Sequence, residues 1–145
     1  MKVANVEIEL NTNGEFDPVD ITEQVCGAVT NSGVKNGVVI IASQHTTAAV
    51  VINEFESGFF QDLKIALQKL APKELHYYHN DMHVRNAPPG EPKNGHSHIL
   101  ASLIGSSQTV PVVDGQLKLG TWQSIFLVEL DFARYRRVIV TVIGE

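Results

Sequence analysis

Gly37-Val38-Val39-Ile40-Ile41-Ala42 is a near-continuous run of apolar, largely β-branched residues, and Ala48-Ala49-Val50-Val51-Ile52 repeats the pattern shortly afterwards. A run of this kind reads as a strand covered on both faces, because strands with one wet face alternate polar and apolar residues. Between the two lies Ser43-Gln44-His45-Thr46-Thr47, an entirely polar interruption. Polar groups held between two core strands must find hydrogen-bond partners or line a cavity, since each one buried without a partner costs roughly 1–3 kcal/mol. The alternative is a solvated turn.

The rest of the chain supplies cover for these strands. Val3, Val6, Ile8 and Leu10 alternate with Glu7 and Glu9, which predicts a strand and not a charged, cleavable leader. Asp17-Pro18 reads as an N-cap followed by a first-turn proline, with Ile21, Val25, Ala28 and Val29 at helical spacing up to Asn31-Ser32-Gly33. Phe55, Phe59, Leu63, Ala66, Leu67 and Leu70 form the stripe of an amphipathic helix ended by Pro72. Ala71 to Lys93 carries four prolines and no periodicity, so it is expected to be a lid or a subunit-bridging loop. Asn94 to Ile104 predicts a helix with Ile99, Leu100, Leu103 and Ile104 inward and Gly105 as a left-handed cap. Val110 to Val113, Asp114-Gly115 and Gln116 to Leu119 have the pattern of a type I′ hairpin. Two further strands are expected at Ser124–Leu130 and Val138–Ile143. The pattern gives one α+β domain over residues 1–145, with a mixed or antiparallel sheet system and about three inserted helices.

Composition narrows the partners. The formal charge is −5 and there is no Lys/Arg run beyond Arg134, Arg136 and Arg137, which argues against a nucleic-acid or membrane partner. The single cysteine, Cys26, cannot form an internal disulfide and suits a reducing compartment, so a cytoplasmic location is expected; its side chain is expected to act as a small hydrophobe on a helix.

Several motifs share one family order: Ser43 to Ala48, Asn53-Glu54, His79-Asn80-Asp81, Asn94 to His98, Gly105-Ser106-Ser107, Pro111, Gly120-Thr121-Trp122-Gln123, Glu129 and Gly144-Glu145. On these the chain resembles the YjbQ-like family, also called the secondary thiamine-phosphate synthase family. The resemblance implies a small β-sandwich decorated by helices and assembled as a homotrimer, with sites near the subunit contacts. The activity it implies joins hydroxymethylpyrimidine diphosphate to a thiazole phosphate and releases diphosphate.

That chemistry needs charge drawn onto a departing diphosphate, donors for both phosphates and an aromatic wall beside a developing cation. The resemblance assigns His45, His98, Asp81 and Glu54 as catalytic candidates. Thr46, Thr47, Asn53, Asn94, Lys118, Thr121 and Trp122 are the candidates for holding the phosphorylated substrate. His45, His79 and His98 would hold a divalent metal, zinc or a similar ion, with magnesium as an alternative beside a diphosphate. The residues alone leave two other readings open. One is a metal-dependent hydrolase of a small phosphorylated metabolite; the other is a non-catalytic trimeric protein that binds a metabolite or a metal. His76 and His83 are expected to be surface residues of the long loop.

Overall fold

The computed structural model describes residues 1–145. Eight strands are present: β1 (Lys2–Asn11), β2 (Pro18–Asp20), β3 (Gly37–Ser43), β4 (Ala48–Asn53), β5 (Ser107–Val113), β6 (Gln116–Leu117), β7 (Ser124–Glu129) and β8 (Tyr135–Gly144). Three helices, α1 (Thr22–Ser32), α2 (Ser57–Leu70) and α3 (Gly95–Ile104), are inserted between them, with a 3-10 turn at Tyr78–Asn80. The strands form a five-stranded sheet in the order β1-β8-β3-β5-β6 and a three-stranded sheet in the order β2-β7-β4. Every strand pair is antiparallel, which resolves the expected choice between mixed and antiparallel sheets.

The two apolar runs that opened the sequence argument belong to different sheets. β3 pairs with β5 and β8, whereas β4 pairs with β7. Ser43–Thr47 is therefore the crossing from one sheet to the other. Ala48 and Val50 of β4 enter the core between the sheets, together with Val39, Ile41, Val110, Val140, Ile125 and Leu127. Ala49 enters a second core, where Phe126, Val128 and Leu130 meet Leu67 of α2 and Leu100 and Ala101 of α3. Thus β4 is covered on both faces, as its unbroken hydrophobicity requires.

β3 departs from that expectation. Val39 and Ile41 are fully buried, but Val38 and Ile40 point to the other face of the five-stranded sheet and are half-buried. No helix of the chain packs over that face; α1 lies against the inner side with Val25, Ala28 and Val29 in the core.

Other boundaries moved for local reasons. Asp17-Pro18 does not start α1: Pro18–Asp20 is recruited as a strand against β7, and the helix begins at Thr22, where the Asp20 carboxylate accepts the Thr22 N–H at 2.9 Å. Cys26 is exposed on α1. α2 is capped by Glu56, whose carboxylate accepts the N–H groups of Gly58 and Phe59. In α3 the inward residues are His96, Ser97, Leu100 and Ala101, while Ile99 and Leu103 are exposed, so the buried stripe is rotated from the expected one. Gly105 has φ 106° and ψ 149°, an extended conformation of positive φ and not the left-handed helical one. The Asp114-Gly115 turn has φ of 54° and 75°, as a type I′ turn demands, but β6 ends at Leu117.

Candidate functional site

The cleft forms where the sheet crossing meets α3. Ser43 N–H donates to Ser106 O at 2.8 Å and Val50 N–H donates to Gly105 O at 3.3 Å, so the end of α3 is tied to both apolar strands. Ser43, Gln44, His45, Thr46, His98, Ala101, Ser102, Gly105 and Ser106 surround a cavity of about 640 Å³. Gln44, His45, Thr46, Thr47, Asn94, His98, Arg134 and Arg136, with Glu91 and Pro92, surround another of about 430 Å³. Four residues, including His45 and His98, line both. The cavities are adjoining halves of one polar cleft.

A buried ionic network forms the floor. Glu129 and Arg136 are 0% and 2% exposed. The Glu129 carboxylate accepts from Thr12 Oγ1 at 2.6 Å, from the N–H groups of Leu130 and Asp131 at 3.1 and 3.0 Å, and from Arg136 Nε at 2.8 Å and Nη2. Arg136 Nη2 also donates to Thr47 Oγ1 at 2.8 Å and to Thr47 O at 3.2 Å. A buried ion pair persists only with such saturation of its lone pairs and protons. Its consequence here is positional, because it holds Thr47, the last polar residue before β4.

His45 is oriented from the opposite side. Its Nε2 accepts the backbone N–H of Arg137 at 2.8 Å. Burial, and then the charge of Arg136 with Arg134 and Arg137 beside it, pushes the imidazole pKa down, partly opposed by Glu129. His98 is also held below the ordinary imidazole value, first by burial and then by His79 and Arg85, against the opposing pull of Asp131 and Glu91. Both rings are therefore neutral at pH 7.

His79 lies beside His98, with ring centroids 4.2 Å apart and planes inclined at 53°. Its Nε2 is 3.2 Å from Asn94 Oδ1, while Asn94 Nδ2 donates to Asp131 Oδ2 at 2.7 Å. A carboxylate only accepts here, so the amide oxygen faces His79 and Nε2 of that ring carries the proton. Asp131 also accepts from Arg134 Nη2 at 2.9 Å. The Nε of Arg134 is buried without a partner in the chain.

Of the residues singled out in the sequence, the fold brings His45, Thr46, Thr47, Asn94 and His98 to one cleft and sets His79 against its wall. The others lie elsewhere in the single chain. Asn53 and Glu54 are exposed at the far end of β4. The Asp81 carboxylate accepts the N–H groups of His83 and Val84 and so closes a local turn. Lys118 and Thr121 are exposed, and Trp122, expected to help hold the phosphorylated substrate, is 74% exposed. No three His, Cys, Asp or Glu side chains gather in an arrangement that could hold a metal ion, so His45, His79 and His98 do not form such a set within one chain. Nε2 of His45 is engaged by β8 and Nε2 of His79 by Asn94.

Gln44, which lies inside the Ser43 to Ala48 motif but carried no assigned role, completes the cleft with Arg134 and Arg136, which no motif contains. The available signal was a charged residue ending one apolar strand, Glu129, and another opening the next, Arg136.

The sequence matches the profile of the UPF0047 protein YjbQ-like family over residues 6–145. The chain belongs to this family. A UPF0047 protein of Methanothermobacter thermautotrophicus is 41% identical over 145 residues, covering 100% of this chain and 95% of that protein. The UPF0047 protein YugU of Bacillus subtilis is 30% identical over 138 residues, 94% of this chain and 97% of its own. A crystal structure of a YbjQ-like protein of unknown function from Sulfolobus solfataricus P2 superposes with a TM-score of 0.91 at 38% identity, covering 99% of each chain. The YjbQ-like fold, α+β with two antiparallel sheets, is thereby shown. The expected thiamine-phosphate synthase function is not: these relatives are named only as UPF0047 proteins, and the solved one as of unknown function. The geometry also removes its physical basis within the chain, since Lys118 and Trp122, expected to serve a diphosphate and a pyrimidine ring, lie outside the cleft.

Proposed function

We propose that the cleft binds a small phosphorylated metabolite and that His98 exchanges a proton with it. One observation carries the reading. Two neutral imidazoles, His45 and His98, face the same polar cleft, and His98 makes no side-chain hydrogen bond within the chain that would commit either nitrogen. A free, neutral imidazole is a ready proton acceptor near pH 7. Support for an oxyanion comes from the donors around it: the Gln44 amide, the Thr46 hydroxyl, the unpartnered Nε of Arg134 and the guanidinium of Arg136. Apart from Pro92, the half of the cleft that holds both arginines is lined by polar and charged residues, which disfavours a hydrophobic ligand.

The test is a titration of the full chain with inorganic phosphate and a simple phosphate monoester, read by histidine NMR and calorimetry. Saturable binding with shifts at His98, lost in His98→Ala, is the expected result. Binding that is unchanged in His98→Ala, or absent at millimolar ligand, rejects the reading.

The proposal includes a homotrimer in a reducing, cytoplasmic setting. Support for assembly comes from the uncovered outer face of the five-stranded sheet, where Val3 and Val113 are exposed, and from Ile99 and Leu103 on the outer side of α3. Light scattering at micromolar concentration should give three times the mass of the 15.9 kDa chain. A monomer would reject this part alone. No helix is long and apolar enough to cross a membrane.

A further inference from the structure

We propose that His45 is a fixed hydrogen-bond donor in this cleft and not a metal ligand: its Nδ1–H is offered to an oxygen of the bound phosphate, while Nε2 is engaged by the backbone of β8. The ligand half of this inference rests on the phosphorylated-metabolite reading above; the hydrogen-bond half does not.

The His45 hydrogen bond forms where a strand ladder loses its partner. β8 lies between β1 and β3, and its pairing with β3 ends at Ser43↔Val138. One more backbone bond follows, from Gln44 N–H to Arg137 O at 3.2 Å, before the chain leaves for the other sheet. The Arg137 N–H is then left facing a strand that has departed. Nε2 of His45 meets it at 2.8 Å and takes the place of a strand carbonyl.

A backbone N–H can only donate, so Nε2 must present its lone pair. A neutral imidazole has one N–H and one lone pair, which puts the proton on Nδ1. His45 makes no other side-chain hydrogen bond in the chain, and its ring lines both halves of the cleft, so Nδ1–H is the donor available to a ligand. Coordination of a metal at Nδ1 would require the ring either to lose its only N–H proton, giving imidazolate, or to move that proton to Nε2, where it would face the Arg137 N–H. Coordination at Nε2 would break the hydrogen bond from the Arg137 N–H that fixes the ring.

His79 shows the opposite polarity. Its Nε2–H points at Asn94, which leaves Nδ1 as the lone-pair nitrogen.

The experiment uses the full chain with ¹⁵N-labelled histidine, assigned against His45→Ala, at a pH above the usual imidazole range. Long-range ¹H–¹⁵N correlations should show His45 as the Nδ1–H tautomer, unchanged by equimolar Zn²⁺ and shifted by inorganic phosphate. An Nε2–H tautomer, or a Zn²⁺-dependent loss of the Nδ1–H signal, overturns the inference. His45→Asn retains an amide N–H near the Nδ1 position, so it should bind phosphate within about threefold of the parent, whereas His45→Ala should lose roughly tenfold, the value of one charge-assisted hydrogen bond. Equal losses in the two variants overturn the donor role. No phosphate binding by the parent, together with an Nδ1–H tautomer indifferent to zinc, rejects the phosphorylated-metabolite reading while sustaining His45 as a non-ligand.

Discussion

His96 and His98 are two residues apart on the first turn of α3, and almost everything about them differs. At 3.6 residues per turn they point about 200° apart around the helix axis. His96 is 3% exposed, and its Nε2 lies 2.9 Å from the Glu15 carboxylate, which also meets Lys73 Nζ at 3.3 Å. His98 is half-buried, has no such partner, and faces the cleft beside His79. One histidine is structural and the other is free to act on a ligand. The same residue type at neighbouring positions thus takes its role from the elements packed against it: the Asn13–Asp17 loop on one side and the sheet crossing on the other.

The floor under the cleft offers the largest test of this division. Arg136→Met leaves the Glu129 carboxylate buried without its cation, which should cost about 3–5 kcal/mol of stability in urea unfolding. A loss below about 1 kcal/mol would mean that Glu129 is not held there as a buried anion.

Next come the two histidines themselves. His96→Ala removes a buried group hydrogen-bonded to a carboxylate and should cost about 1.5–3 kcal/mol while leaving phosphate binding intact. His98→Ala should do the reverse, with binding lost and stability within about 1 kcal/mol. If both variants lose stability equally and bind equally, the two sides of α3 are not functionally distinct.

Acidification gives a smaller effect of defined sign. His45 and His98 have pKa values lowered in the folded chain relative to 6.5, so as pH falls below that value the unfolded chain takes up protons first. Stability should be flat with respect to these groups above about pH 6.5 and should decline through the window below it, until the folded values are passed. The decline should be shallower in a His45→Asn, His98→Asn double variant. An identical slope would remove both rings from the linkage.

The smallest effects are expected at exposed histidines remote from the cleft. His76 and His83 are exposed on the long segment before α3, and alanine at either position should change stability by no more than about 0.5 kcal/mol. A larger change at either would show that this segment is held more firmly than its contacts imply.

Much of the fold was legible because its signals are local. The alternation of β1, the stripe of α2, the Asp114-Gly115 turn and the two apolar runs each announce an element within a short window. The errors also have local causes. Asp17-Pro18 suits a helix start, but β7 offers Pro18–Asp20 a partner strand, and tertiary pairing won. Ile99 and Leu103 suit a buried stripe, but α3 turns His96 and Ser97 inward and leaves those two exposed.

The sequence by itself determined that Ser43 to Thr47 interrupts two core strands and that His45, Thr47, Asn94 and His98 are polar residues at such interruptions. Only the tertiary structure decided that the interruption is a crossing between sheets and that α3 closes over it. The tertiary structure also brought in Arg134 and Arg136 from the start of β8 and left Glu54, Lys118 and Trp122 outside. The physical reason is that periodicity reports which face of an element is apolar, whereas a site is made by the ends of elements remote in sequence. The direction of the His45 hydrogen bond shows this most plainly, because it depends on an unpaired N–H ninety-two positions away along the chain.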